Sequence, residues 1–303
     1  MRALRALANV FRLLFAPLWL LGRRVSRPKA TWVVLRLESR VSEFRPRLTL
    51  LRRLVSRAPE LRSSSLEDLR ALVKTLVEDP RMRGVLVYVP ALEAAWATCE
   101  SLRDQLTKLR ESGKQLVCYL TEGGGNRELF VASCADRIYV APYTAFGPLG
   151  LASRPLYIRR LLDKIGIEVE AQACGEYKSA AEPALRDVIS EPAREQTEAL
   201  IWAMHRALEA GLRERRGLSN ERIAEIFSRG LLRASEAKAS GVIDDIVYED
   251  ELLDRLGFQT PESDKKKPSH FITPADYLRW RNARLWKPLR EKPYIAVISL
   301  RGM

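Results

Sequence analysis

Short apolar strands alternate with helical segments along most of the chain, and this alternation narrows the folds that it can adopt. Residues 84–89 (GVLVYV) have the length and composition of a buried strand, and residues 115–120 (QLVCYL) give the next one. The segment between them, residues 94–110, has helical spacing, and a further helix and strand follow at residues 126–134 and 137–141. The sequence therefore predicts an α/β protein built in layers.

The flanking segments continue the alternation in both directions. Upstream, residues 32–37 are strand-like, and Ser64 with Glu67 forms a capping box for a helix that should stop near Pro80. Downstream, the predicted elements are a helix at residues 155–165, a strand at 167–173, a long helix at 193–214, a helix from Ser219 to Ser228, a short helix from Ser235 and a strand at 242–247. Residues 259–270 have the composition of a linker, which predicts a domain boundary.

The basic excess of the chain lies near its amino terminus. Residues 1–62 contain 15 basic and 3 acidic residues, whereas the remainder contains 36 basic and 35 acidic ones, so the body is nearly neutral although the net charge is +13. The sequence has no basic motif interleaved with aromatic residues, as in RNA- or DNA-binding modules. We therefore expect no nucleic-acid partner and favour anionic lipid.

An apolar run at residues 7–22 gives a second reason to expect a membrane. The run is shorter than the roughly 20 residues that span the hydrocarbon core, and Arg12 and Pro17 interrupt it. It could form a marginal span, an interfacial amphipathic anchor, a signal-peptide core or a buried helix. Because no small-x-small cleavage site precedes Arg23, we expect residues 1–29 to be a basic membrane anchor or an uncleaved signal-like segment.

The few cysteines and histidines restrict the chemistry of the chain. The four cysteines show no metal-ligand spacing, lie among apolar residues and are predicted to be reduced core thiols: Cys99, Cys118, Cys134 and Cys174. The chain has only two histidines, so neither a histidine-dependent triad nor a zinc site is expected. We expect no metal and no cofactor.

One segment, residues 175–183 (GEYKSAAEP), combines features that suit a catalytic amine. Lys178 follows a predicted strand and lies in a turn between Gly175 and a stretch of small residues, where its amine could be partly desolvated. Desolvation lowers the pKa of a lysine, and a neutral amine can take the proton of a serine hydroxyl. Most lysines are solvated surface groups, so the segment by itself leaves that ordinary interpretation open.

The same segment resembles the GxYKSAxEP motif around the general-base lysine of the signal peptide peptidase A (SppA) family, in its long, tandem-domain form. The likeness extends over residues 30–258, and its other clear parts are residues 130–138 (FVASCADRI), 161–167 (LLDKIGI) and 237–244 (AKASGVID). The resemblance implies a crotonase/ClpP-like spiral of strand-strand-helix units. Here we expect an amino-terminal membrane-associated helix to precede this peptidase domain.

A Ser-Lys dyad divided between two domains is also implied by the resemblance. Lys178 is then the general base, and a following domain supplies the serine. Gly175, Tyr177, Ser179 and Glu182 support the lysine. Ser179 could orient the amine or be structural. Tyr177 could tune the amine or simply pack, and Glu182 could tune it or make a surface contact.

Two departures from the family pattern concern the acyl chemistry. After the glycines at residues 123–125, the position that matches the nucleophile is Asn126, which cannot attack a carbonyl. Residues 90–93 (PALE) replace the NSPGG-like loop that usually supplies an oxyanion donor. Both losses suit a domain that leaves acyl chemistry to its partner.

Other serines are weaker candidates for the nucleophile. Ser179 adjoins Lys178, but adjacent side chains seldom converge. Ser235 and Lys238 match the S-x-x-K of penicillin-recognising enzymes, but no K-T-G accompanies them and a capped surface helix explains the pattern. Ser133 lies within an apolar helix and is expected to be buried.

The last residues of the sequence resemble its first strand. Residues 294–302 repeat the apolar character of residues 31–39, and each segment follows a basic stretch. This repeat predicts that residues 293–303 are the first strand of a second domain, after a linker with a short helix at residues 259–292.

Together these observations predict a membrane-associated serine endopeptidase that degrades signal peptides or other unfolded apolar peptides. Its expected partners are a peptide substrate, a second SppA-like domain, further copies of itself as a homo-oligomer and, through the amino terminus, membrane lipid. The expected location is the bacterial inner membrane, with the domain on the periplasmic side. The alternative is a non-catalytic membrane-bound scaffold or peptide-binding homologue that lacks the nucleophile.

Overall fold

The computed structural model describes residues 9–10, 13–25, 28–44, 63–147, 149–258 and 270–282. Its strands are β1 (Trp32–Ser42), β2 (Ser63–Ser65), β3 (Gly84–Val89), β4 (Gln115–Leu120), β5 (Arg137–Val140), β6 (Ala145–Phe146), β7 (Leu232–Arg233), β8 (Asp245–Ile246) and β9 (Phe271–Ile272). Its helices are α1 (Ala16–Val25), α2 (Leu66–Val77), α3 (Trp96–Glu111), α4 (Asn126–Ala132), α5 (Arg159–Lys164), α6 (Glu182–Leu185), α7 (Glu191–Arg216), α8 (Asn220–Arg229), α9 (Ala234–Ala239), α10 (Leu252–Arg255) and α11 (Pro274–Arg281). The predicted strand of a second domain, residues 293–303, lies outside the described residues.

A parallel sheet forms the centre of the protein. Its strands lie in the order β2-β1-β3-β4-β5-β8, and β9 pairs with the start of β1 on the side where β2 pairs farther along. The first residues of three strands are in register, because Trp32 lies opposite Gly84 and Gly84 lies opposite Gln115. Two further strands, β6 and β7, form a small antiparallel pair.

Because its strands all run in the same direction, the sheet has one edge where the strands begin and another where they end. The segments that lead into the strands, including Arg83 and Lys114, lie at one edge, which we call the amino edge. The turns that follow the strands, including Pro90 and Thr121, lie at the other, which we call the carboxyl edge. In parallel sheets, sites generally form at the carboxyl edge.

Both faces of the sheet are covered, which explains the continuous apolar runs in the sequence. Every residue of β3 is buried. Val85 and Val87 pack into the larger core cluster together with residues of α2, α3 and α4, whereas Leu86 and Tyr88 pack into a smaller cluster on the opposite face. A strand that is buried on both faces has no polar positions to alternate with. The predicted α/β class is confirmed.

Most predicted elements form, with bounds that shift by a few residues, but three details of the prediction are wrong. Residues 167–173 form no strand and are largely exposed. The cap of α2 is Ser65, whose hydroxyl oxygen accepts the N–H of Asp68 at 3.1 Å, while Ser64 belongs to β2. The short helix α9 begins at Ala234, one residue before Ser235.

Residues 151–192, which we call the lysine arm, are the least buried long segment that the structure describes. None of their side chains is buried. Large apolar side chains are exposed here and on the adjoining part of α7, namely Leu156, Leu161, Ile165, Ile167, Tyr177, Val188, Leu200 and Trp202. This explains why residues 167–173 form no strand. A strand needs a neighbouring strand for its backbone hydrogen bonds and a surface that covers its apolar side chains, and the described residues provide neither.

The amino-terminal helix α1 has ten residues, and apolar side chains on it and just before it are exposed, including Leu14, Leu18 and Leu21. Among the described residues, no helix combines the length and the apolar character that a membrane crossing requires. Helix α1 and the residues just before it thus present exposed apolar side chains.

The carboxyl-terminal segment packs against the sheet domain through β9 and α11. Tyr277 on α11 is buried, and its hydroxyl lies 3.2 Å from the carbonyl oxygen of Thr75 and 3.3 Å from a carboxylate oxygen of Asp79. Burial would raise the pKa of Asp79, but hydrogen bonds from Arg81 outweigh it and hold that pKa below its usual value. The described part of the predicted linker, residues 270–282, is thus attached to the domain.

Replacing Tyr277 tests this attachment. We expect Tyr277→Phe to lower the free energy of unfolding by about 1 kcal/mol, because only the hydroxyl contacts are lost. We expect Tyr277→Ala to lower it by about 3 kcal/mol or more, because a cavity also forms. Urea denaturation measures both, with Tyr143→Phe as the control because Tyr143 is 97% exposed. Equal stability of Tyr277→Ala and the parent would contradict the packing of α11.

Candidate active site

Tight turns carry the lysine motif, residues 175–183. Gly175 has a φ of +97°, a backbone conformation that favours glycine. The N–H of Lys178 donates to the carbonyl oxygen of Gly175 at 3.2 Å, and the N–H of Glu182 donates to that of Ser179 at 3.0 Å. These turns lead directly into α6.

Two of the predicted supporting residues fasten the motif to the start of α7. The hydroxyl of Tyr177 donates to Oε2 of Glu195 at 2.9 Å. The carboxylate of Glu182 accepts from the hydroxyl and the backbone N–H of Ser190, which caps α7. The hydrogen bond from the Ser190 hydroxyl holds the pKa of Glu182 below its usual value. Both side chains therefore position the backbone around Lys178.

The Lys178 side chain is exposed, so the described residues do not provide the partial desolvation of the amine that the sequence left open. The reason is that nothing in the lysine arm is buried, so no apolar wall excludes water from the turn. Among the described residues, no hydrogen bond or ion pair connects the motif with Asn126, the position that matches the nucleophile. Desolvation of this amine requires a surface from outside the described residues.

Asn126 is the first residue of α4, at the carboxyl edge, and it holds a neighbouring loop. Its Nδ2 donates to the carbonyl oxygen of Gly150 at 2.7 Å, and its Oδ1 accepts the N–H of Gly150 at 3.2 Å. The preceding turn needs glycine at Gly123, because its φ is +78° and a Cβ there would lie 2.3 Å from the carbonyl oxygen of Ala145. The predicted glycine turn before a helix is present. At the position compared with the nucleophile, it carries the side-chain amide of Asn126, which is bonded to Gly150.

Glu128, which the sequence analysis missed, joins the glycine turn to the loop at residues 90–93. Its side chain is buried; Oε2 accepts the N–H of Gly125 at 2.7 Å and Oε1 accepts the N–H of Leu92 at 2.6 Å. Two backbone donors of the kind that could bind an oxyanion are thus already paired with a carboxylate. Glu128 lies three residues after Gly125, as in half of a capping box, which could have indicated the first bond.

The rival serines make structural contacts. Ser133 is buried, as predicted; its hydroxyl donates to the carbonyl oxygen of Phe130 at 2.8 Å and accepts from Nε of Arg103 at 3.2 Å. Ser235 is exposed, and the lysine of its S-x-x-K pattern, Lys238, is ion-paired with Asp245.

The ion pair of Lys238 gives its carboxylate partner an unusually acidic pKa. The hydrogen bond from Lys238, followed by one from Arg255, lowers the pKa of Asp245 to about 2. The Lys238 amine is therefore engaged with a carboxylate.

Three of the four cysteines are buried, and burial raises the pKa of each. The pKa rises to about 11 for Cys99 and for Cys134, and well above its usual value for Cys118. Cys174 is exposed, which corrects its assignment to the core, because it belongs to the uncovered lysine arm. Within the described ranges, no cluster of histidine, cysteine and acidic side chains could hold a metal ion.

Comparison with known families now identifies the chain. The model of peptidase family S49 matches residues 108–259, which is half of the chain and includes the turns around Lys178. The chain belongs to peptidase family S49. The predicted resemblance to SppA peptidases is confirmed by this match and by relatives of that name.

Several curated S49-type proteases are similar to the chain over part of their length. The chloroplastic serine protease SPPA of Arabidopsis thaliana is 29% identical over 69% of this chain and 30% of its own length. Protease 4 of Haemophilus influenzae is 24% identical over 80% of this chain and 40% of its own length. The chain thus spans about a third of the length of these curated relatives.

Solved structures of two kinds overlap with this S49 chain. A peptidase from Plasmodium falciparum has a TM-score of 0.41 and 10% identity, over 72% of this chain and 96% of its own. An enoyl-CoA hydratase/isomerase (crotonase) from Legionella pneumophila has a TM-score of 0.36 and 11% identity, over 63% of this chain and 62% of its own. Crotonase-like chains are thus among the matches.

The buried carboxylate of Glu128 should stabilise the folded protein through its two hydrogen bonds. We expect Glu128→Ala to lower the free energy of unfolding by about 2 to 5 kcal/mol, because the N–H groups of Gly125 and Leu92 both lose their acceptor. Glu93→Ala is the matched control, since Glu93 adjoins Leu92 but makes an exposed ion pair with Arg40, worth less than about 1 kcal/mol. Urea denaturation of both variants measures the difference, and equal midpoints would contradict a structural role for Glu128.

Proposed function

We propose that this chain is the lysine-bearing domain of a serine peptidase, in which Lys178 acts as general base for a serine from a second S49 domain. The observation that carries the proposal is the lysine motif itself, which lies inside the family match and is fastened to α7 by Tyr177 and Glu182. The protease names of the relatives support the reaction class. Their greater length leaves room for a second domain.

A second domain that covers the lysine arm would shelter Lys178 from water, since that side chain is exposed in this chain. The exposed apolar side chains of the arm and of α7 are suited to burial against a second domain, and residues 167–173 are suited to pairing with a strand there. Such a contact would exclude water around Lys178 and favour its neutral form. The proposed partners are therefore a second S49 domain and, in a homo-oligomer, further copies of the chain.

The proposed reaction proceeds through an acyl-enzyme. Neutral Lys178 accepts the proton of the serine hydroxyl as the serine oxygen bonds to the peptide carbonyl carbon. The C–N bond then breaks, and the protonated lysine returns the proton to the leaving amine. Lys178 next takes a proton from water as the water oxygen attacks the ester carbon. The bond from that carbon to the serine oxygen breaks, and the protonated lysine returns the proton to the serine oxygen. The proposed substrates are cleaved signal peptides or other unfolded apolar peptides.

The proposed location is a membrane surface, in line with the bacterial inner membrane and periplasmic side expected from the sequence. The exposed apolar side chains of α1 and the basic residues that follow them support membrane association. A fractionation of cells that express the full-length protein, with and without residues 1–29, tests this location.

A direct test joins the chain to an S49 domain that carries the serine and measures hydrolysis of a small peptide ester. We expect Lys178→Ala to lower kcat/KM at least 100-fold, because general-base catalysis contributes about 10² to 10⁴ in rate. Lys164→Ala is the matched control, since Lys164 is an exposed lysine on the same arm, and it should retain the parent rate. Equal rates for Lys178→Ala and the parent would rule out the assigned base.

Docking through the lysine arm and the adjoining part of α7 has a test of its own. We expect the chain to associate with a separately expressed S49 domain in sedimentation experiments. The double variant Leu200→Asp/Trp202→Asp should weaken this association at least tenfold, because each charge would be desolvated in an apolar contact. Tyr143→Asp is the control, because Tyr143 is an exposed aromatic residue outside the arm. Equal association of the double variant and the control would contradict docking through this surface.

A non-catalytic scaffold or peptide-binding protein is the second candidate. The amide of Asn126 and the carboxylate of Glu128 favour it, because both occupy places where acyl chemistry would need a nucleophile and free donors. Peptide binding by the chain, together with no hydrolysis by the joined protein that carries the serine, would support this candidate over the peptidase.

A further inference from the structure

A basic cavity lies at the amino edge of the sheet, opposite the candidate active site. Its volume is about 690 Å³. Four basic side chains line it, Arg83, Arg110, Lys114 and Arg215, together with the acidic side chains of Glu111 and Asp136. This leaves an excess of two positive charges in one concave surface.

The acidic residues do not neutralise the cavity. Asp136 is already satisfied, because it accepts from Nε of Arg110 at 2.6 Å and from the backbone N–H of Leu116 at 2.8 Å. Glu111 is 4.0 Å from Arg215, at the limit of an ion pair. The buried ammonium group of Lys114 donates to a carbonyl oxygen, that of Asp79, at 2.7 Å, so its charge is not balanced by this contact.

Two of the arginines retain donors for a ligand. The side chain of Arg83 is exposed and has no hydrogen bond or ion pair within the part of the chain that the structure describes. Arg215 is half-buried, and its one ion pair among the described residues is the 4.0 Å contact with Glu111. A guanidinium group presents paired N–H donors that match the oxygens of a phosphate group. The cavity thus has the charge and the donors for a phosphate-bearing anion.

The apolar helix α1 connects to the same edge of the sheet. Only six residues lie between Val25, at the end of α1, and Trp32, so the helix ends within about 25 Å of the start of β1. Because neighbouring strands are about 4.8 Å apart, the starts of β3 and β4, beside Arg83 and Lys114, lie about 5 and 10 Å from that point. The end of α1 therefore lies within about 35 Å of the basic cavity, on the side of the sheet where β1 begins.

We propose that the amino edge of the sheet faces a membrane and that its cavity binds the phosphate of an anionic phospholipid headgroup while α1 buries its apolar side chains in the same leaflet. This pairing of surfaces favours lipid over a free phosphate or a nucleic acid, because neither of those would cover the apolar side chains of α1. The inference does not depend on the peptidase proposal. It places Asn126 and the rest of the carboxyl edge on the side away from the bilayer.

Vesicle sedimentation of the full 303-residue chain tests the site. We compare vesicles of phosphatidylglycerol and phosphatidylcholine with vesicles of phosphatidylcholine alone, at about 0.1 M salt. We expect Arg83→Gln/Arg215→Gln to weaken binding to the anionic vesicles about tenfold and to leave binding to the neutral ones unchanged. The matched control is Arg36→Gln/Arg40→Gln, which removes the same charge nearer the carboxyl edge, where Arg36 lies opposite Tyr88 of β3, and should bind like the parent.

Further variants and probes decide between the ligands. Arg83→Lys/Arg215→Lys keeps the charge but loses the paired donors, so it should bind the anionic vesicles more tightly than the glutamine double variant and less tightly than the parent. Equal weakening by the two glutamine double variants would overturn the cavity as a site. A different outcome is that inorganic phosphate raises the Tm of the parent and not of Arg83→Gln/Arg215→Gln, while both proteins bind vesicles equally. The ligand would then be a free anion, and the lipid proposal would be overturned. Binding to duplex DNA with the same dependence, in place of vesicles, would also overturn it.

Discussion

Burial of β3 on both faces of the parallel sheet is the constraint on which the other elements depend. The strand is paired with β1 on one side and with β4 on the other, and all of its residues are buried, so helices or loops have to cover both faces. The parallel direction then assigns every connection to an edge. The glycine turn before α4 belongs to the carboxyl edge, and the basic cavity beside Arg83 belongs to the amino edge. Two separate surfaces, one at each edge, therefore follow from one pairing direction.

The sheet could be predicted from the sequence because its signals are local. The bounds of β3 and β4 agree to the residue with the apolar runs at residues 84–89 and 115–120, since strands that are buried on both faces are apolar throughout. The predicted strand at residues 167–173 shows where such reasoning fails. Its alternation of apolar and polar residues describes a surface that could pair, and pairing depends on a neighbour. The sequence places Cys174 in the core because its neighbours are apolar. Apolar neighbours in the sequence do not ensure burial, and Cys174 is exposed.

The candidate site was predictable only where its residues are contiguous. The lysine motif is one uninterrupted segment, so Lys178 and its supporting residues could be named. The contacts that position the motif come from farther along the chain, since Tyr177 bonds to Glu195 and Glu182 to Ser190. The bond between Glu128 and Leu92 spans 36 residues and depends on how α4 lies against the loop after β3. No pattern in the sequence reports that approach.

The carboxylate of Glu128 also bears on how such a domain could evolve. A serine at position 126 would restore a hydroxyl, yet the negative charge of Glu128 would still occupy the donors of Gly125 and Leu92 and would repel an oxyanion beside them. Removing that charge alone leaves buried donors unpaired, and rebuilding the loop alone leaves no nucleophile. A catalytic centre at position 126 would therefore need at least two coordinated changes, a hydroxyl in place of the Asn126 amide and a new acceptor for the backbone donors that Glu128 now pairs.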